Sequence, residues 1–120
     1  MVDSNLTREL VNSYYDKPSK KEKLNSLLSE EFLLTGTIAR ESIGREAYVS
    51  NNFFKGIKSL NVKCMLVEDD NACAIVSYDL ISPKGNSFKA EIAEIWKIKN
   101  GKLDSVAIYF DTAFFQKAIS

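Results

Sequence analysis

The chain has 120 residues, 45% hydrophobic and 27% charged, and its 16 basic and 16 acidic side chains leave a formal net charge of zero. That size supports one domain, residues 1–120, with its own core, and the charge balance gives no general attraction to nucleic acid or to a membrane surface. Histidine is absent, which excludes Ser-His-Asp and Cys-His relays and histidine-bound metals, and leaves acid–base work to carboxylates, tyrosines, lysines or a thiol.

Met1 to Leu10 mixes Asp3, Arg8 and Glu9 with isolated apolar residues and holds no signal-peptide stretch. Leu6, Leu10 and Tyr14 recur every four residues, with Val11 and Tyr15 alongside, so an amphipathic helix is expected from Ser4 to Lys17, stopped by Pro18. Ser19 with Glu22 three residues later is a capping-box pattern, and Leu24, Leu27 and Leu28 continue it as a second helix to about Glu30. The mixed Lys17 to Lys23 cluster reads as a solvated helix end.

Phe32-Leu33-Leu34 reads as a short buried extended piece, and residues 35 to 43 as a loop or short strand. A third helix is expected from Ser42 or Gly44, with Ala47, Phe53, Phe54 and Ile57 on one face, Tyr48 pointing elsewhere and Gly56 at its frayed end. From Asn61 the pattern changes to β-branched and aromatic runs, broken by turns at Glu68 to Asn71, Ser82 to Asn86 and Asn100-Gly101. Four antiparallel strands are predicted.

Asp69-Asp70-Asn71 reads as a polar hairpin turn, because it lacks the further oxygen ligands of a calcium loop. The only two cysteines, Cys64 and Cys73, flank that turn without a CxxC spacing, so a reduced, cytoplasmic setting is the expectation. Nothing approaches a membrane span.

Asn100-Gly101 is a strong hairpin signal, since a type I′ turn needs positive φ at both central positions. A two-residue loop there pairs Trp96 with Ser105, Glu94 with Ala107, Ile92 with Tyr109 and Ala90 with Asp111. Alternation then places Phe88, Ile92, Glu94, Trp96, Ile98, Leu103, Tyr109 and Asp111 on one inner face, and Ile95, Val106, Ile108 and Phe110 on the outer one.

The run from Glu94 to Leu103, followed by Tyr109-Phe110-Asp111, resembles the final hairpin of SnoaL-like polyketide cyclases and the wider nuclear-transport-factor-2-like superfamily. Tyr14-Tyr15, the Leu-rich second helix and Gly44-Arg45-Glu46 are similar to that family's layout too. The resemblance implies an α+β barrel, with a cone-shaped, curved antiparallel sheet covered by three N-terminal helices around an apolar pocket. It also implies a homodimer packed through the sheet's outer face, which would occupy Ile95, Val106, Ile108 and Phe110.

By the same resemblance Asp111 stands where these cyclases carry an aspartate proposed as general acid or base, and an apolar pocket would raise its pKa usefully. Aspartate at a strand end also commonly anchors the following turn, and both roles stay open. Glu94, flanked by Ile92 and Trp96, is costly to bury unless it is paired, solvated or functional. Ketosteroid isomerases, another branch, are similar in setting a protonated acid beside a tyrosine of the first helix, where Tyr14 stands here. Their general base follows the second helix, and this chain has Thr35-Gly36 at that place, with no carboxylate.

On the simple register Glu94 and Asp111 are four positions apart along the strand, roughly 13 Å, too far to share a proton. Structural partners for Glu94 would be Tyr14, Tyr109 or Arg40. Trp96, Tyr15, Phe32, Phe53, Phe54 and Tyr78 are candidate pocket walls for a flat apolar ligand or, equally, plain core residues, while the Tyr14 and Tyr109 hydroxyls suit ligand orientation. The expectation is a small apolar or polycyclic ligand, no cofactor, and acid–base chemistry through Asp111 helped by Glu94 or Tyr109. Its rival is a non-catalytic domain of the same fold that dimerises or binds a protein or metabolite, favoured by the missing base.

Overall fold

The computed structural model describes residues 4–16, 25–36, 43–50 and 56–119. Helix α1 (Ser4–Asp16) is followed by β1 (Leu28–Gly36), β2 (Ile43–Gly44), α2 (Arg45–Ser50), β3 (Ile57–Glu68), β4 (Asn71–Ile81), β5 (Ser87–Lys99), β6 (Lys102–Tyr109) and α3 (Thr112–Ile119). The strands make one six-stranded sheet in the order β2-β1-β6-β5-β4-β3. It is the expected α+β architecture, a curved, unclosed sheet with helices against its concave side. No helix among the described residues is long and apolar enough to cross a membrane.

The buried stripe of α1 is Thr7, Val11, Tyr14 and Tyr15, at the i, i+4, i+7, i+8 spacing of one helix face. Leu6 is 41% exposed, so the helix is rotated away from the Leu6-Leu10 stripe. A polar contact explains why Thr7 goes inward. Its hydroxyl donates to the Asp69 carbonyl, while the Asp69 N–H donates to the Ser4 hydroxyl at 2.9 Å. Asp69 has φ 52, and these two bonds tie the β3–β4 turn to the start of α1.

Helical geometry occurs at 25–27, but β1 begins at Leu28, so the expected second helix does not reach Glu30. Pairing decides this, because Leu28, Phe32 and Leu34 turn into the core while β1 runs parallel to β6. Gly36 ends β1 with φ +111, and a Cβ there would lie 2.1 Å from the Ile108 carbonyl oxygen. Only glycine permits that approach. In α2 the buried residues are Tyr48 and Val49, whereas Ala47 is exposed. Tyr48 thus faces the core, contrary to expectation; Ile57 opens β3 rather than closing a helix, and Phe53 and Phe54 lie outside the described residues.

From β3 to β6 the four predicted strands form a meander, and Asn100 (φ 52) and Gly101 (φ 74) make the expected positive-φ turn. Its register holds for Lys99–Lys102 and Ile98–Leu103 and then shifts by one residue between Lys97 and Ile98. Beyond this bulge Trp96 pairs with Val106, Glu94 with Ile108 and Ala93 with Tyr109. A one-residue slip exchanges the two faces of a strand. Val106 (fully buried) and Ile108 therefore point inward beside Trp96 and Glu94, while Tyr109 is 48% exposed on the outer face. Asp111 is also exposed; its Oδ1 accepts from the Phe114 N–H at 3.0 Å and caps α3. The inner-face placement expected for Tyr109 and Asp111 is corrected by that single extra residue in β6.

Candidate functional site

Strand β4 alternates strictly, with Ala72, Ala74, Val76, Tyr78 and Leu80 turned inward, and β5 sends in Ala90, Glu94, Trp96 and Ile98. The register sets three of the bulky inward residues opposite small ones: Trp96 against Ala72, Glu94 against Ala74, and Tyr78 against Ala90. Large side chains can then lean along the strands without colliding. Tyr78 and Glu94 start two inward positions apart on neighbouring strands and meet over Val76 and Ile92.

Glu94 is 4% exposed and is the only buried acid among the described residues. Its carboxyl group accepts from the Tyr15 hydroxyl and from the Tyr78 hydroxyl, the latter at 2.9 Å to Oε2 and 3.1 Å to Oε1. The Trp96 indole N–H donates to the Tyr15 oxygen at 3.0 Å. Tyr14 lies in the same cluster, near enough to feel the Glu94 charge, and its hydroxyl meets that of Tyr48. Its ring packs on Trp96 at 4.5 Å between centroids, and Phe32 lies 5.0 Å from Tyr48. The candidates Tyr14, Tyr15, Phe32, Tyr78, Glu94 and Trp96 thus converge in one buried cluster, and Tyr109 and Asp111 stand apart from it.

Burial pushes the Glu94 carboxyl up to about 7, and the hydrogen bonds from Tyr15 and Tyr78 pull less strongly the other way. Burial also drives the Tyr14, Tyr15, Tyr48 and Tyr78 hydroxyls above the ordinary phenol range, so all four stay protonated at neutral pH. A carboxyl group poised near neutrality can take up and return a proton. The walls around it are aromatic rings.

Other polar groupings look structural. A depression of about 390 Å³ beside β1 and the β5–β6 turn is lined by polar and charged side chains, among them Lys99, 3.7 Å from Glu31, and Arg45, which donates to the Asn25 carbonyl at 2.9 Å. Among the described residues no three Cys, Asp or Glu side chains gather to hold a metal ion.

The membership of Tyr48 in the cluster and the bulge in β6 both escaped the sequence reading. Tyr48 was hidden because helical phase in so short a segment is set by packing. The bulge, however, left a trace: strict alternation from Leu103 would bury Ser105 and Ala107 and expose Val106 and Ile108, and the hydrophobicity of that strand argues for the reverse.

The geometry is that of the NTF2-like α+β fold. Among solved structures, a protein assigned as a SnoaL-like polyketide cyclase from Jannaschia sp. CCS1 superposes with a TM-score of 0.86 at 16% identity, over 98% of this chain and 93% of that one. One assigned as a ketosteroid isomerase from Kribbella flavida has a TM-score of 0.79 at 23% identity, over 92% of this chain and 82% of its own. TerC, co-crystallised with polyporic acid, has a TM-score of 0.80 at 13% identity, over 95% and 98% of the two chains. The sequence matches no family profile and no curated protein.

Proposed function

We propose that this protein binds a small apolar or polycyclic molecule against the aromatic inner face of its sheet, and that Glu94 exchanges a proton with it. The supporting observation is the Glu94 carboxyl group itself, buried among Tyr14, Tyr15, Tyr78 and Trp96, held by two hydroxyl donors and raised to about 7. TerC's polyporic acid is the kind of flat ligand such walls suit. With one buried acid among the described residues, the same carboxyl removes and returns the proton, which favours isomerisation over chemistry that needs two separate groups.

The test uses 2-naphthol, a planar probe with one hydroxyl, followed by its fluorescence. Saturable binding that weakens about tenfold or more in Glu94→Gln is expected, from the loss of a charge-assisted hydrogen bond. Absence of saturable binding by the wild-type protein, or equal affinity in the variant, removes the reading.

The outer face supports a homodimer, keeping Ile95 of the residues first expected and adding others. Leu66, Cys73, Ile95, Ala107 and Thr35 form one row in register across five strands, and Cys64, Ile75, Ala93 and Tyr109 a second beside it. Polar rows through Asn71 and Lys97 and through Ser77 and Glu91 border them. An apolar band with a polar rim suits an isologous partner, a second copy of this sheet. Val106 and Ile108, assigned to that interface from the simple register, belong to the interior instead.

A further inference from the structure

Tryptophan is a donor without an acceptor, so the direction of one hydrogen bond in the buried cluster is fixed by chemistry alone. The Trp96 N–H points at the Tyr15 oxygen, 3.0 Å away, and the same oxygen lies against Glu94 Oε1. A phenol hydroxyl has one proton. With its oxygen already accepting from Trp96, that proton turns to Glu94.

We infer that Trp96 is a positioning residue, whose indole N–H aims the Tyr15 hydroxyl at Glu94 and thereby sets which hydrogen-bonding state of the carboxyl group is favoured. The inference deepens the proposed role of Glu94 and concerns a residue that donates to the acid's partner. Without the indole donor, the Tyr15 oxygen could accept from a protonated Glu94, and the two groups could exchange roles. With the donor present, that reversal would leave the Tyr15 proton without its present acceptor. Polarisation along the chain Trp96, Tyr15, Glu94 also strengthens the final bond to the ionised carboxylate.

The surroundings keep the effect simple. Among the described residues the titratable groups facing Glu94 are tyrosines: Tyr14 and Tyr15 from α1, Tyr48 from α2 and Tyr78 from β4. On β6 its neighbour is Ile108. Within the described residues, therefore, the Trp96 donor is not competing with a nearby fixed charge.

Trp96 is the only tryptophan of the chain, so biosynthetic replacement of tryptophan by 3-benzothienylalanine alters one position and exchanges the N–H for sulfur at nearly constant shape. The readout is the Glu94 titration midpoint, followed by carboxyl ¹³C NMR on glutamate-labelled protein without ligand. Removing the donor is expected to raise the midpoint by about 0.5 pH unit. In a Tyr15→Phe background the same replacement is expected to leave the midpoint unchanged, because the relay is already cut. No rise in the first case, or an equal rise in both, overturns the inference. Trp96→Phe supplies a genetically encoded check on the direction of the shift. Because no ligand is present, this result is independent of the naphthol experiment, and either reading can fail alone.

Discussion

Glu94 binds its proton more tightly in the folded chain, at about 7, than an exposed glutamate does at 4.5. Its contribution to stability is therefore complete below about pH 4.5 and is lost as the pH rises through 7. The loss totals about 3 kcal/mol over that window. Glu94→Gln carries no such titration, so urea melts from pH 5 to 8 are expected to show the variant gaining on wild type by most of that amount. A gap that stays constant with pH would contradict the burial argument. Tyr78→Phe removes a donor to the ionised carboxylate and is expected to raise the Glu94 midpoint further, read by the same NMR titration. Alternation along β5 made Glu94 legible as an inward acid, but the partners expected for it were Tyr14, Tyr109 or Arg40, and the hydroxyls that donate to it are those of Tyr15 and Tyr78. Neighbouring helix positions differ by about 100°, and only packing chooses between them.

At the scale of elements, the β5–β6 hairpin shows what a turn signal can and cannot deliver. Asn100-Gly101 identified the loop and its first two pairs, after which one bulge reversed the two faces of β6. Deleting Asp104 would remove the extra residue and keep Val106 opposite Trp96 and Ile108 opposite Glu94, so both stay inward. The expected cost is therefore small, about 1 kcal/mol for the lost hydrogen bond from the Ser29 hydroxyl to Asp104, measurable as a slightly lower urea midpoint. Asp111, freed from the inner face by the same bulge, has its effect through α3. Asp111→Ala is expected to cost about 1 kcal/mol as a lost N-cap while leaving naphthol affinity unchanged. Helix α3 was not anticipated, because its cap was read as a strand end. Gly36→Ala tests the parallel seam between β1 and β6, where positive φ and the Ile108 carbonyl together predict a loss of about 3 kcal/mol.

For the whole molecule, composition and the succession of helices and strands were enough to indicate the architecture, while the sheet's parallel β1–β6 seam depended on contacts between distant segments. The two proposed roles fall on opposite faces of the sheet. The outer apolar band is expected to hold two copies together, so Ile95→Glu should convert a dimer to a monomer in analytical ultracentrifugation, with the Glu94 midpoint unaltered. A wild-type protein that sediments as a monomer at high concentration would remove the dimer.

The pairing of Trp96 with Ala72, Glu94 with Ala74 and Tyr78 with Ala90 has a consequence for how this interior could change. The three alanines act as counter-moulds, and their side chains are as constrained as those they face. Enlarging Ala74 alone would crowd the carboxyl group, whereas enlarging it while shortening Glu94 would keep the total volume. Bulk can therefore be moved from one strand to its neighbour, reshaping the space presented to a ligand without refilling the core. Sequence drift at these positions should come in reciprocal pairs.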